Sequence, residues 1–138
     1  MGIKLVQQFN KKFNLPDGSI DRLSYNQADQ EYRLKFIQEE LNELALALEV
    51  DNRVEAFDAL LDLAYVVYGT ALFMGVTPDM WDEGMAAVHR ANMAKVRTPK
   101  KEVSKRGSGW DVIKPTGWTG PEDELAEILL WQRLHHET

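Results

Sequence analysis

The feature that most constrains this chain is a long apolar segment, LAYVVYGTALFMGV, which spans residues 63–76 and follows a stretch rich in acids. Its apolar residues surround the circumference of a helix, which is typical of a helix packed on several sides. The segment has about 14 apolar residues, fewer than the roughly 20 that cross a bilayer, and charges stand at both ends. We therefore predict a central core helix over residues 53–76 and no membrane span.

Four further segments carry helical signals. Apolar residues three or four apart predict helices over 3–13 and 28–50. Proline in the first turn predicts a helix over 78–96 and a last helix that begins near 121. No strand or internal repeat is predicted. The sequence is therefore assigned to the all-α class, as a four-helix-type bundle with an extended C-terminal arm and a terminal helix.

The length of 138 residues fits one domain with three parts. Residues 1–97 are expected to form the helical bundle with the candidate site, residues 98–120 an extended basic arm, and residues 121–138 a C-terminal helix. The N-terminus has no apolar core of a signal peptide, so a soluble cytoplasmic protein is expected.

Residues 15–27 have no hydrophobic period and hold Pro, Asp and Gly, so they are predicted to form a loop. Asn26 or Asp29 is a candidate cap for the helix that follows. The pair Asp51-Asn52 is a candidate break and cap between the second and third helices.

Charge is unevenly distributed along the chain. The net charge is −6, but residues 95–114 carry +5 and the remainder −11. Such a chain is a poor partner for a nucleic acid polymer, because duplex binding requires a broad positive surface. It suits a metal ion and a small polyanion. The basic residues of the segment are Lys95, Arg97, Lys100, Lys101, Lys105, Arg106 and Lys114.

Acids cluster on two of the predicted helices. Glu39, Glu40 and Glu43 fall within about 100° of one face of the second helix, where like charges repel. On the third helix an acidic stripe within about 60° ends at Asp62 and continues into core positions. The chain has no cysteine, so any metal ligands would be oxygen or nitrogen atoms. A solvated acidic surface is the alternative interpretation.

Asp62 is the acid for which a surface role fits least. The periodicity predicts that its side chain is mostly buried, and an unpaired buried carboxylate costs on the order of several kcal/mol. Arg53 is too far along the same helix to pair with it. A hard cation, Mg²⁺ or Mn²⁺, would neutralise the cluster. A lysine or arginine from elsewhere in the fold is the rival compensation.

Three sequence motifs stand in a characteristic order. They are Glu39-Glu40-Leu41-Asn42-Glu43, the run from Asp58 to Asp62 with its apolar continuation, and Asn92-Met93-Ala94-Lys95. In this order they resemble the MazG-like all-α nucleoside triphosphate pyrophosphohydrolases, especially the phage and bacterial branch related to phosphoribosyl-ATP pyrophosphohydrolase. The resemblance covers nearly the whole chain.

The resemblance implies hydrolysis of a nucleoside triphosphate to a monophosphate and pyrophosphate, with Mg²⁺ as cofactor and Mn²⁺ as an alternative. It implies Glu39 and Glu40 as catalytic residues, with Glu39 a metal ligand or the group that activates water. Ala59 stands where the family's ExxD motif has an acid, so Asp58 or Glu55 would complete the site. By resemblance the metal ligands are Glu40, Glu43 and Asp62, with Asp58 and Glu39 as further candidates, and the substrate contacts are Asn92 and Lys95, with Glu55 as a further candidate.

The basic arm offers further contacts. Lys114, with Lys95, is expected to reach phosphates, whereas Lys100, Lys101, Lys105 and Arg106 are equally well explained as a solvated stretch. Trp110 and Trp118 could stack on a base or anchor the arm, and anchoring is favoured. His89 is expected to be a packed helix residue.

Two alternatives remain open at this stage. A non-catalytic helical module for oligomerisation or partner binding would carry the same acids without metal dependence. An enzyme could also act on a nucleoside diphosphate or on a compound resembling phosphoribosyl-ATP. In either case the apolar third helix, with the resemblance, favours a homodimer or homotetramer.

Overall fold

The structure is a computed structural model that describes residues 1–15 and 26–136, with side chains described as far as residue 131. Most of the predicted loop over 15–27 lies outside the described residues. The described part contains α1 (Gly2–Lys12), α2 (Gln27–Glu49), α3 (Arg53–Phe73), α4 (Pro78–Met93) and α5 (Glu122–His136). The prediction of the all-α class is confirmed.

Asparagine side chains start the two helices that carry the candidate site. The Oδ1 atom of Asn26 accepts a hydrogen bond from the Asp29 N–H at 3.1 Å, and that of Asn52 accepts one from the Glu55 N–H at 3.1 Å. Asp51, with φ of 53°, reverses the chain between α2 and α3. This short connection makes α2 and α3 antiparallel neighbours, and they pack along their length.

Two helices end earlier than predicted. The third was expected to reach residue 76, but α3 ends at Phe73 because Gly75 adopts φ of 88°, which a right-handed helix does not allow. The fourth was expected to reach residue 96, but α4 ends at Met93 because the chain enters a short strand at Val96.

The chain divides into two compact units, Met1–Trp81 and Asp82–Thr138, with the boundary inside α4. In the first unit α1 and α2 both pack on α3. Its core joins α1 to the C-terminal half of α3. The rings of Tyr68 and Trp81 pack against this core, and their centroids lie 5.3 Å from each other. The buried residues of this core are Ile3, Val6, Ala71 and Leu72.

The prediction that α3 is buried on several sides is wrong for the single chain. Phe57 is 65% exposed and Leu61 is 53% exposed, because α1 and α2 cover only part of the circumference of α3. Within the described part of the chain, α3 also has the length and apolar composition of a membrane-crossing helix, with 33% of its most apolar window buried.

The second unit contains structure that the sequence did not predict. Strand β1 (Val96–Arg97) pairs in antiparallel fashion with β2 (Val112–Ile113), so that Val96 lies opposite Ile113. A 3-10 turn, Lys101–Val103, lies between them. The prediction of no strand is wrong because two-residue strands are too short to leave an alternating pattern in a sequence.

Candidate metal centre

Three carboxylates from α2 and α3 come together in the first unit. One oxygen from each of Glu40, Glu43 and Asp62 lies within 4.8 Å of the others. The i, i+3 spacing puts the two glutamates on one face of α2. The short turn at Asp51 brings α3 alongside, which places Asp62 opposite that face. We call these three residues the acidic triad.

Glu40 is under the greatest electrostatic strain in the acidic triad. Partial burial, followed by the negative charges of Glu43 and Asp62, raises the pKa of Glu40 above its ordinary value. Its Oε2 atom is buried and accepts no hydrogen bond from the described part of the chain. A bound cation would offset both the cost of burying this oxygen without a hydrogen-bond donor from the described residues and the repulsion from the two neighbouring carboxylates.

The donor set fits a hard divalent cation. Mg²⁺ and Mn²⁺ prefer carboxylate oxygens and keep several water ligands, and they need at least one open side for those waters. Neither Glu43 nor Asp62 is among the buried residues, so that side exists. Asp62 is partly buried, so the prediction that it is mostly buried is confirmed in part. The uncovered side of α3 leaves its carboxylate accessible to water.

Glu39 lies on α2 next to the acidic triad but is not one of its three residues. Its side chain is exposed, and its negative charge contributes to the raised pKa of Glu40. An exposed carboxylate beside a metal site is free to accept a proton from water, which is the catalytic role that the resemblance implied.

Glu55 and Asp58 line a cleft that shares Glu43 with the acidic triad. The cleft has a volume of about 290 Å³ and lies between the end of α2 and the start of α3. Ala59 stands where the family has an acid, and it forms part of the cleft wall. It is only 3% exposed, so its side chain is buried inside the fold. Glu55 and Asp58 themselves have the ExxD spacing, one turn earlier on the helix.

Three of the predicted substrate contacts, Asn92, Lys95 and Lys114, belong to the second unit, whereas Glu55 belongs to the first. Asn92 is exposed, and its carbonyl oxygen accepts a hydrogen bond from the Lys95 N–H at 3.1 Å. The Nζ atoms of Lys95 and Lys114 lie 5.4 and 4.8 Å from the centre of the Trp118 ring. Both lysines are therefore held by cation–π contacts to one indole.

The two tryptophans of the arm have different roles. The Nε1–H of Trp118 donates a hydrogen bond to the Ala91 carbonyl oxygen at 2.7 Å, so this ring anchors the arm to α4 as predicted. Trp110 is 87% exposed with the Arg97 guanidinium 5.2 Å from its ring centre, so anchoring is wrong for this residue. His89 is exposed, so the prediction that it is a packed helix residue is wrong.

Arg33 is a structural residue that sequence reasoning missed. Its guanidinium donates hydrogen bonds to the Thr70 Oγ1 atom at 3.1 Å and to the Val66 carbonyl oxygen at 2.9 Å. Burial lowers the pKa of Arg33. The available signal was Gly69, where a Cβ atom would lie 2.7 Å from Arg33 Nη2. This contact fixes α2 against α3 in the unit that holds the acidic triad.

Comparison with known proteins identifies the family. A sequence profile described as phosphoribosyl-ATP pyrophosphohydrolase matches residues 6–92, which is more than half of the chain and includes the acidic triad. The chain belongs to this family. It is thereby a member of the MazG-like all-α NTP pyrophosphohydrolase superfamily, as the sequence motifs predicted. The family is named for a pyrophosphohydrolase, a hydrolase that acts on phosphoanhydride bonds.

A curated relative from Acanthamoeba polyphaga mimivirus, "Uncharacterized protein L479", is 34% identical over 77 residues. The match covers 54% of this chain and 31% of the relative. The chain thus corresponds to less than a third of the relative's length, and the relative's name assigns no activity.

Proposed function

We propose that this protein is a Mg²⁺-dependent pyrophosphohydrolase that cleaves a nucleoside or deoxynucleoside triphosphate to the monophosphate and pyrophosphate. The observation that carries the proposal is the acidic triad, in which the Glu40 Oε2 atom is buried and accepts no hydrogen bond from the described residues. The family supports the reaction class. Mn²⁺ has the same ligand preference and is an alternative cofactor.

The proposed roles follow from the position of each carboxylate. Glu40, Glu43 and Asp62 would hold the divalent ion, which when bound supplies positive charge to a polyphosphate and lowers the pKa of a coordinated water. Glu39 would accept the proton of the attacking water, because it is exposed and adjacent to the acidic triad. Water would attack the α phosphorus, the bond from that phosphorus to the α–β bridging oxygen would break, and pyrophosphate would leave with the bridging oxygen.

The cleft at Glu43 is the proposed place for additional ligands or substrate contacts. Asp58 or Glu55 would supply a further oxygen ligand there, in place of the acid that Ala59 lacks. Asn92, Lys95 and Lys114 are proposed to contact the sugar or the phosphates. Their contributions are separable from the triad, because removing them would weaken substrate affinity while leaving metal affinity unchanged.

The test combines metal binding with product release. Protein treated with EDTA is titrated with Mg²⁺ or Mn²⁺ in a calorimeter, and pyrophosphate release is then measured over a panel of NTPs, dNTPs, nucleoside diphosphates and phosphoribosyl-ATP. We expect metal binding and metal-dependent release from at least one triphosphate. Heat of binding absent for both ions, together with no turnover on the panel, would contradict the proposal.

A second candidate function, oligomerisation, is favoured by a separate observation. Val54, Phe57, Leu61 and Tyr65 recur at spacings of three or four on α3, and all four are exposed. We call these residues the α3 stripe. An exposed apolar stripe at helical spacing fits packing against another helix. We propose that a second copy of the chain covers it, in a homodimer or homotetramer, which is compatible with catalysis.

A further inference from the structure

A basic cleft in the second unit lies in a part of the chain that the family match does not include. It is formed by residues 95–114, whereas the family match ends at residue 92. The cleft has a volume of about 550 Å³. Its charged lining residues are four bases and a single acid, namely Lys95, Lys105, Arg106, Lys114 and Asp111.

The acid of this cleft is already occupied by structural contacts. Asp111 pairs with Arg106, accepts a hydrogen bond from the Ser104 hydroxyl at 2.7 Å and accepts another from the Val112 N–H at 2.9 Å. The Arg106 N–H also donates to the Ser104 hydroxyl oxygen at 3.1 Å. Asp111 therefore fixes the cleft wall, and its charge is not available to the lysines.

Two of the three lysines of the cleft are held in position, and none of the three is neutralised by an acid within the described part of the chain. Among the described residues no carboxylate pairs with Lys95, Lys105 or Lys114. The strand register that sets Val96 opposite Ile113 brings Lys95 opposite Lys114 when it is extended by one residue. Like charges in facing positions are destabilising. The anchored Trp118 ring, within 5.4 Å of both ammonium groups, keeps them in place.

We propose that this basic cleft binds the di- or triphosphate group of a small molecule and that it does so without a metal ion. Three ammonium groups that have no acid partner among the described residues match the three to four negative charges of such a group in number. Their mutual repulsion falls when the anion binds. Cation–π contacts limit the freedom of two of the lysines in advance, which lowers the entropic cost of binding.

This inference shares Lys95 and Lys114 with the proposed substrate contacts, but metal-free anion binding is measured separately from the proposed hydrolase activity. The acidic triad belongs to the first unit and the basic cleft to the second, and each can fail alone. Loss of turnover with retained metal-free anion binding would count against the hydrolase only. Turnover without metal-free anion binding would count against the cleft only.

The experiment measures binding of inorganic pyrophosphate and triphosphate to the full chain in EDTA by calorimetry. Lys105→Gln and Lys114→Gln are the test variants, and Lys100→Gln is the matched control, since Lys100 is an exposed base of the same segment that does not line the cleft. Each test variant is expected to weaken binding about tenfold or more, and the control less than about twofold. Glu43→Gln is expected to leave binding unchanged.

Further binding measurements with ATP and with a single-stranded oligonucleotide identify the class of ligand. Equal affinity for ATP and inorganic triphosphate would support a site for the phosphate chain alone, and tighter binding of ATP would support a nucleotide site. Absence of metal-free binding at millimolar anion would overturn the proposal. So would an equal loss in Lys100→Gln, or tighter binding of a single-stranded oligonucleotide. Lys105 contacts no ring of the described residues, so Lys105→Gln remains informative if Lys114→Gln disturbs Trp118.

Discussion

Glu40 is the residue on which the proposed metal site depends most, because its carboxylate is crowded by two others and one of its oxygens accepts no hydrogen bond from the described residues. Glu40→Gln, Glu43→Gln and Asp62→Asn are each expected to lower kcat/KM about 100-fold or more, since each removes a charge from a three-residue donor set. The measurement is pyrophosphate release at saturating Mg²⁺.

The matched control for these variants is Glu49→Gln, which removes an exposed carboxylate from the end of the same helix. It should retain nearly full activity. Circular dichroism should show the same helix content in all four variants. Wild-type rates in all three triad variants would show that the acidic triad is not the catalytic metal site.

The raised pKa of Glu40 predicts a pH dependence of stability in the metal-free protein. A carboxyl whose pKa is higher in the folded state binds its proton more readily there, so folding gains stability as pH falls and loses it as pH rises through the folded pKa. Between about pH 8 and about pH 5 in EDTA, the Tm of the wild type should rise relative to that of Glu40→Gln. A Tm difference that is the same at every pH would contradict the assignment.

The same crowding predicts opposite effects of Glu43→Gln with and without metal. In EDTA the substitution removes a repulsive charge and should raise Tm by about 1–2 °C. With saturating Mg²⁺ it removes a ligand, so the stabilisation that bound metal gives should be smaller than in the wild type. Thermal melts under both conditions test this. A lower Tm in EDTA would show that the Glu43 charge is not strained.

Which of these residues the sequence could predict depends on how local the cause is. The i, i+3 spacing of Glu40 and Glu43 fixes their shared face on α2, and the short turn at Asp51 constrains where Asp62 falls. The partial exposure of Asp62 could not be predicted, because it depends on which sides of α3 remain uncovered. Arg33 was missed because its partners lie on another helix.

At the scale of elements, the N-caps are the strongest local signals. Asn52→Ala removes the acceptor for the Glu55 N–H at the start of α3 and is expected to cost about 0.5–2 kcal/mol of stability. Asn52→Asp keeps an acceptor at the same place and should cost much less. Urea denaturation measures both. Equal losses would show that the amide group has a role other than capping.

Asp111 stabilises the strand pair as the N-cap residues stabilise the helices. Its hydrogen bonds to Arg106, Ser104 and the Val112 N–H lower its pKa to about 2, from an ordinary value of 3.8. Because the folded pKa is the lower one, the stability contribution is complete above about pH 4 and is lost as pH falls through about 2. The elements of the second unit should therefore keep this contact throughout the neutral range.

Asp111→Asn tests this contact through hydrogen exchange at about pH 7. The amides of Thr98 and Val112 should exchange faster, because the variant loses the ion pair with Arg106 and weakens the wall that holds both strands. Asp123→Asn, at the start of α5, is the control and should leave these amides unchanged. Unchanged protection in Asp111→Asn would show that the strand pair does not need the carboxylate.

The helices could be predicted from the sequence more fully than the strands, because more residues repeat the pattern of each element. The helices were predictable because eleven or more residues repeat one period and asparagine or proline marks several starts. The strand pair was not, because two-residue strands carry no repeating pattern and depend on individual side-chain contacts, those of Asp111 with nearby residues and that of Trp118 with Ala91 on α4. The basic cleft depends on that pair, so the sequence alone indicated only a basic segment.

The two longest helices of the first unit leave apolar rows exposed that the rest of the described chain does not cover. Leu34, Leu41 and Leu48 recur at intervals of seven on α2, and each is exposed. Together with the α3 stripe they place periodic apolar rows on both helices of the hairpin, and such rows are typical of helix–helix interfaces. Coverage by a second copy would also bury the apolar part of α3.

We therefore expect sedimentation equilibrium to give a dimer or tetramer. Phe57→Glu and Leu61→Glu place a charge in the middle of the α3 stripe and should shift the protein toward monomer, with helix content retained. Leu130→Glu substitutes a comparably exposed leucine of α5 and should leave the assembly intact. A wild type that stays monomeric at micromolar concentration would contradict the proposed assembly. So would dissociation that is equally strong in Leu130→Glu, because the charge rather than the α3 stripe would then be responsible.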